Sequence, residues 1–208
     1  AYASAGITGL GSEDVIVSDP ASVSDLNTLD GTTTGIITAS VSEINAEILS
    51  DLNNANSNNA YNIIVEDLTV AAEDLNSIDA ATSAVVNVLQ ATKIIGDISD
   101  VNTAYASAGI TGLGTEDVSV STPASVADLN ALDVTTTGVI TAAVSDTDAA
   151  TLRTLANANN NNTYVITVED LTVAAADLNT IDTATSGLVT ATGVETINGT
   201  ASAITTLI

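Results

Sequence analysis

The 208 residues carry 26 acidic side chains against two basic ones, Lys93 and Arg153, giving a formal net charge of −24 that repels nucleic acid and anionic membrane. Cysteine and histidine are both absent, which removes disulfide frameworks, thiolate metal sites and the commonest acid–base side chain. The chain is nonetheless 45% hydrophobic and only 13% charged, so it can fold, around a core of Val, Ile, Leu, Ala and Thr because Phe, Trp and Met are missing.

In chain order, the opening Ala1-Tyr2-Ala3-Ser4-Ala5-Gly6 has no basic region, and no apolar run approaches ~18 residues. Neither a signal peptide nor a membrane span is expected, and the chain reads as a piece cut from within a longer one. Residues 15–17 read as a strand. Residues 22–30 read as a short capped helix with Val23, Leu26 and Leu29 inward, and 35–38 as a strand. Across 40–59, Val41, Ile44, Ile48 and Leu52 form a helical stripe that ends in an Asn-rich run. Residues 61–65 and 85–88 are β-branched strand sequence, with alanine-rich helical text (Ala71, Ala72, Ala80, Ala81) between them. Ile98, Val101 and Tyr105 make a further helical stripe. The glycines of 109–114 predict a tight corner with two short strands around it, ending near Val120. In the second half 165–168 and 188–190 are the strand candidates.

Much of this text occurs twice. Residues 1–10 read AYASAGITGL, and so do residues 104–113, a 103-residue offset without gaps. A shorter period lies inside it. Asp25-Leu26-Asn27-Thr28-Leu29-Asp30 returns as Asp74 to Asp79, Asp128 to Asp133 and Asp177 to Asp182; the leading position also falls at Asp51, Asp100 and the degenerate Thr154 and Ala203. Steps of 23 to 28 residues are the length of one strand-plus-helix turn. The expected fold is therefore an α/β repeat solenoid of about eight turns with a parallel sheet, continuous through 1–103 and 104–208 with no linker. The alternative is an all-β parallel β-helix in which the Asp-Leu-Asn segments are corners.

The recurring residues set the functional expectations. The leading Asp of each motif suits the first turn of a helix, offsetting its dipole. The recurring asparagines, Asn27, Asn53, Asn76, Asn102, Asn130 and Asn179, suit a column that bonds its own members or the turn backbone. Tyr2, Tyr61, Tyr105 and Tyr164 read as packing residues. Asp19, Asp67, Asp97 and Asp100, with Glu13 and Asp14, are weak calcium candidates because hard oxygen ligands lie near strand ends, although no segment matches an EF-hand or a glycine-rich calcium repeat. No other cofactor is expected. Paired carboxylates such as Asp25 and Asp30 offer an acid and a base only on paper, since every candidate is duplicated and no cleft is unique; no enzyme is expected. Asn198-Gly199-Thr200 is formally a glycosylation sequon that reads as a turn.

The phrases DVNTAYASAGITGLGTEDV, ADLNALDVTTTGVITA and ETINGTASAITTL resemble the long tandem repeats of very large secreted surface proteins of marine bacteria, notably cyanobacteria, and similar text in some phage structural proteins. The resemblance covers nearly the whole chain except 41–59 and 144–162. It implies an extracellular or cell-surface structural protein and carries over no catalytic residue. The expectation is a building block of a filament, sheath, surface layer or stalk, partnered by flanking repeats or by copies of itself head to tail, with no nucleic acid and no membrane insertion. An adhesin stalk or phage fibre segment binding a surface ligand or calcium is the alternative.

Overall fold

A computed structural model describes residues 6–55, 58–158 and 161–207; Tyr2 lies outside them. The chain is mixed α/β. Its first elements are β1 (Val15–Ile16), α1 (Val23–Asp30), β2 (Ile37–Ser40), α2 (Ala46–Leu49), β3 (Ala60–Val65), β4 (Thr69–Ala71), α3 (Ala72–Ala81), β5 (Val86–Val88), β6 (Lys93–Gly96), α4 (Ile98–Ala106) and β7 (Ile110–Thr111). They are followed by β8 (Asp117–Val120), α5 (Val126–Asp133), β9 (Ile140–Ala143), α6 (Ala149–Leu152), β10 (Thr163–Thr167), β11 (Thr172–Ala174), α7 (Ala175–Thr183), β12 (Val189–Thr190), β13 (Thr196–Asn198) and α8 (Ala201–Thr206).

Two compact units divide these elements. One is the chain through Thr92 together with Ala106–Leu113, and the other is Lys93–Tyr105 together with the chain from Gly114 onward. In the first unit the strands run in the order β1-β2-β3-β5-β7, every pair parallel. Each residue pairs with one 22 to 24 positions later: Val15 with Ile37, Thr38 with Ala60, Ile63 with Val86, Val86 with Ile110. The second unit repeats the arrangement as β6-β8-β9-β10-β12, with Lys93 against Asp117, Val118 against Ile140, Thr141 against Thr163 and Ile166 against Val189. β11 and β13 pair in the same sense, Val173 opposite Ile197.

Strand residues alternate inward and outward, as the two-residue pleat requires. In β3, Tyr61, Ile63 and Val65 are buried while Asn62 and Ile64 face out. The inward side chains meet one stripe of each helix: Leu26 from α1, Leu49 from α2, and Leu75 and Ile78 from α3 in the first unit; Leu129, Leu132, Leu178 and Ile181 in the second. Burying one such side chain contributes about 1.5–3 kcal/mol. Leu29, expected inside, is only half-buried. The Asp-Leu-Asn segments are helical in α1, α3, α5 and α7, so the all-β alternative does not describe this chain.

The helix expected from residue 40 up to the Asn-rich run shrinks to the four residues of α2. Val41 forms a parallel bridge with Ala21 instead, Ile44 and Ile48 are exposed, and the buried positions are Ala46, Leu49 and Leu52. The physical reason lies at Asn45, whose side chain accepts the Ile48 amide and starts the helix there. The two short strands expected around 109–120 are β7 and β8, separated by Gly112 and Gly114 at φ 94° and 128°, a region other residues rarely enter. Gly35 and Gly138 answer a different need: a Cβ there would sit 2.1 Å from the carbonyl oxygen of Glu13 and Glu116 respectively.

Candidate functional site

The polar groups that recur along the chain are directed at the next repeat. In α1, Ser22 caps the helix by accepting the Asp25 amide at 3.1 Å and donating to Asp25 Oδ2 at 2.8 Å, so the leading Asp stays within its own helix. Ser125 and Asp128 do the same for α5. The asparagine two residues later reaches out. Asn27 Nδ2 donates to the Asp51 carbonyl at 2.8 Å and its Oδ1 accepts the Asn53 amide at 2.7 Å; Asn130 does the same with the Thr154 carbonyl and the Ala156 amide. Asn102 donates to the Asp128 carbonyl and Asn179 to the Ala203 carbonyl. Of the two arrangements the sequence allows, Asn27, Asn102, Asn130 and Asn179 make the bond to the turn backbone.

Every acceptor in that set sits at the leading-Asp position of the following repeat. The asparagine uses only the carbonyl of that residue. That is why the side chain there is free to become Thr154 or Ala203 while the periodicity survives.

The trailing Asp of the motif also crosses to the next repeat. Asp30 is buried; its Oδ1 accepts Asn59 Nδ2 at 2.6 Å and its Oδ2 accepts the Ala55 amide at 3.0 Å, while Asn59 Oδ1 accepts the Ile37 amide. Asp133, Asn162, Ala158 and Ile140 repeat the constellation. Asp79 instead receives Ser107 Oγ at 2.7 Å. The charge of each buried Asp is felt by a tyrosine, Tyr61 or Tyr164, fully buried with a hydroxyl that makes no hydrogen bond. Burial first, and the Asp30 charge second, pushes the Tyr61 hydroxyl up to about 12; burial and Asp133 raise Tyr164 in the same direction.

A hydroxyl column completes the set. Thr33 donates to the Glu13 carbonyl and accepts the Gly35 amide; Thr136 makes the same pair of bonds with Glu116 and Gly138. Thr82 and Thr185 bridge to Tyr61 and Tyr164. The signal for this column was present in Thr33-Thr34-Gly35, Thr82-Ser83-Ala84, Thr136-Thr137-Gly138 and Thr185-Ser186-Gly187, each just ahead of a strand.

The candidate cation ligands are spread apart. Asp19 is exposed beside Pro20. Asp67 accepts Asn45 Nδ2 at 2.8 Å and the Ala46 amide at 2.7 Å. Asp97 accepts the Ser121 and Thr122 hydroxyls, which hold its carboxyl below the ordinary value, and Asp100 lies in the first turn of α4. Asp14 accepts the Ile36 amide, and Glu13 curls onto the Gly11 amide, which lowers its pKa. Among the described residues no three acidic side chains converge as metal ligands. Asp25 and Asp30 do not converge either, one exposed and the other buried. An open surface hollow of about 530 Å³ is lined by Val23, Asn27, Glu43, Ile48 and Asp51 among others, and its Asn27 is already committed to the next repeat. Asn198 of the sequon is exposed in β13, and Thr200 caps α8 through the Ala203 amide. Among the described residues no helix is long and apolar enough to cross a membrane.

No protein-family model, curated protein or solved structure matches the chain.

Proposed function

We propose that the chain is a structural extracellular repeat protein, an α/β solenoid of about eight turns that serves as a building block of a filament, sheath, surface layer or stalk. The observation that carries this reading is the direction of the motif's bonds: Asn27, Asp30, Asn130 and Asp133 use their side chains on the repeat that follows. A stacking code of this kind gives each repeat the same neighbours and leaves no residue unique to one cleft. The uniform 22-to-24-residue parallel register supports it, as does the resemblance of the repeats to those of giant surface proteins. Partners on this reading are flanking repeats of the same chain or further copies head to tail, a heterologous contact that propagates.

Electron microscopy of the native material tests the proposal. One 103-residue repeat advances about four strand steps of ~4.8 Å, so the fibres should show an axial spacing of roughly 2 nm or a multiple of it. A compact monomer that binds a defined glycan or turns over a substrate overturns the proposal.

A further inference from the structure

The chain's 26 acidic residues are unevenly placed: Asp117 alone lies in a strand, and the others belong to helices and corners. In the first unit no residue of β1, β2, β3, β5 or β7 is charged, and the sheet turns Ile16, Thr38, Asn62, Ile64, Asn87 and Thr111 outward. In the second unit the outward row Ser119, Thr141 and Thr163 is joined by Val165 and Thr167. The only charges in strands β6, β8, β9, β10 and β12 are Lys93 and Asp117, which pair with each other in register. A chain of net charge −24 thus presents, on the strands of the first unit, an uncharged face of hydroxyl, amide and methyl groups, and on those of the second a similar face whose charges are one exposed lysine and one exposed aspartate on neighbouring strands.

We infer that this sheet face is a docking surface for the same face of a second copy. Charge selects the occupant. Copies meeting through helices or corners bring carboxylates together, at a cost of several kcal/mol, whereas face-to-face approach keeps those carboxylates outside the contact. Short side chains in rows at strand spacing interdigitate with an identical set, sheets lying about 10 Å apart. The outward residues named include no aromatic ring and no Arg, the anchors a strong heterologous protein interface uses.

The size of the face sets the strength. Five strands ~4.8 Å apart and between two and six residues long give roughly 280 Å² per unit, about a third of what one partner buries in a standard interface. One unit pair therefore associates weakly. Repetition along a chain multiplies the contact by effective concentration, turning the same face into a lateral seam between long molecules. The inference does not depend on the filament proposal, because face pairing also makes dimers of a chain that never grows end to end.

Sedimentation equilibrium of the full chain tests it. Because repulsion between copies is screened by salt, self-association of the unaltered chain should strengthen between about 0.05 and about 0.5 M sodium chloride. Placing charge on the face with Thr38→Asp, Ile64→Asp, Thr141→Asp and Val165→Asp should weaken it at least about tenfold, while Ala127→Glu on α5 changes it little. Unchanged melting temperatures confirm that the outward substitutions leave the fold intact. Should they unfold the chain, the single exchanges Thr38→Asp and Thr141→Asp, each compared with Ala127→Glu, decide. A chain that stays monomeric at both salts, associates less as salt rises, is weakened equally by Ala127→Glu, or binds ice or crystalline glycan through this face without self-association overturns the inference. The axial spacing seen by microscopy reports on the filament proposal separately.

Discussion

In the first unit Asn59 is held between the Asp30 carboxylate at 2.6 Å and the Ile37 amide at 2.9 Å; in the second, Asn162 is held between Asp133 at 2.5 Å and the Ile140 amide at 2.8 Å. At the corners the two units differ. Glu43 becomes Asp146 and still reaches the same helix amide, Val23 in one unit and Val126 in the other. Asn45 becomes Asp148, keeps its helix cap, and has no amide left to donate to the neighbouring carboxylate. Buried polar pairs are held because losing one partner strands the other away from water. Corner residues drift as long as an oxygen remains to cap the helix.

The largest effects should come from the part that does not vary. Asn59→Ala leaves a buried carboxylate short of one donor and the Ile37 amide without an acceptor, two groups at about 1–3 kcal/mol each, so a loss of about 2–6 kcal/mol is expected. Asn162→Ala should cost the same within about 1 kcal/mol. Chemical denaturation of the two variants measures both, and a large inequality would show that the duplicated interiors are not equivalent.

The buried tyrosines that feel those carboxylates sharpen the comparison by pH. A hydroxyl raised to about 12 means that the folded chain holds the Tyr61 proton more tightly than the unfolded chain, whose tyrosine titrates near 10. The associated stability is complete below about pH 10 and is lost as pH rises through about 12, a change of roughly 2–3 kcal/mol. Tyr61→Phe should flatten this alkaline limb. At neutral pH it should be neutral or stabilising, because the hydroxyl it removes makes no hydrogen bond. A substantial loss of stability at neutral pH would show that the hydroxyl has a partner.

Smaller effects are expected at the asparagine column. Asn27→Ala and Asn130→Ala each remove two half-exposed bonds to the next repeat and should cost about 1–2 kcal/mol, whereas Asn58→Ala, exposed in the loop, should change stability little. Equal effects at all three would remove the stacking role.

What the sequence made legible follows from which interactions are periodic. The motif Asp25 to Asp30 announced a helix because Ser22, Leu26 and its own repetition agree, and the inward set around Leu75, Ile78, Leu129 and Ile181 followed from helical spacing. The 40–59 segment misled because Val41, Ile44, Ile48 and Leu52 fit a stripe, whereas an Asn45 cap and a bridge from Val41 break it. Short apolar runs carry too little period to separate the two cases. The Asp30–Asn59 pair was hidden for another reason. Its members lie 29 residues apart, and only the 22-residue register that sets β2 beside β3 brings them together.

The smallest expected effect is at the corner where the units diverge. In the first unit Asn45 Nδ2 donates to Asp67 Oδ1 while Asp67 Oδ2 accepts the Ala46 amide. In the second, Asp170 Oδ2 keeps the equivalent bond from Ala149, and Asp148 faces the corner as a second carboxylate beside Glu169. Asp148→Asn restores the donor and removes a like charge, so the melting temperature should rise by about 1–3 °C at low salt, with the gain shrinking as salt screens the repulsion. Asn45→Asp should do the reverse. Acid supplies an independent check: the Thr151 amide holds the Asp148 carboxyl below its ordinary value, so its capping contribution is present above the unfolded pKa and lost as pH falls through the lowered one. Asp148→Asn should therefore flatten the acid limb of stability in the second unit, an amide having no proton to gain. If the two exchanges move the melting temperature in the same direction, the corner difference is not electrostatic, and the cap geometry at α2 and α6 is what separates the two units.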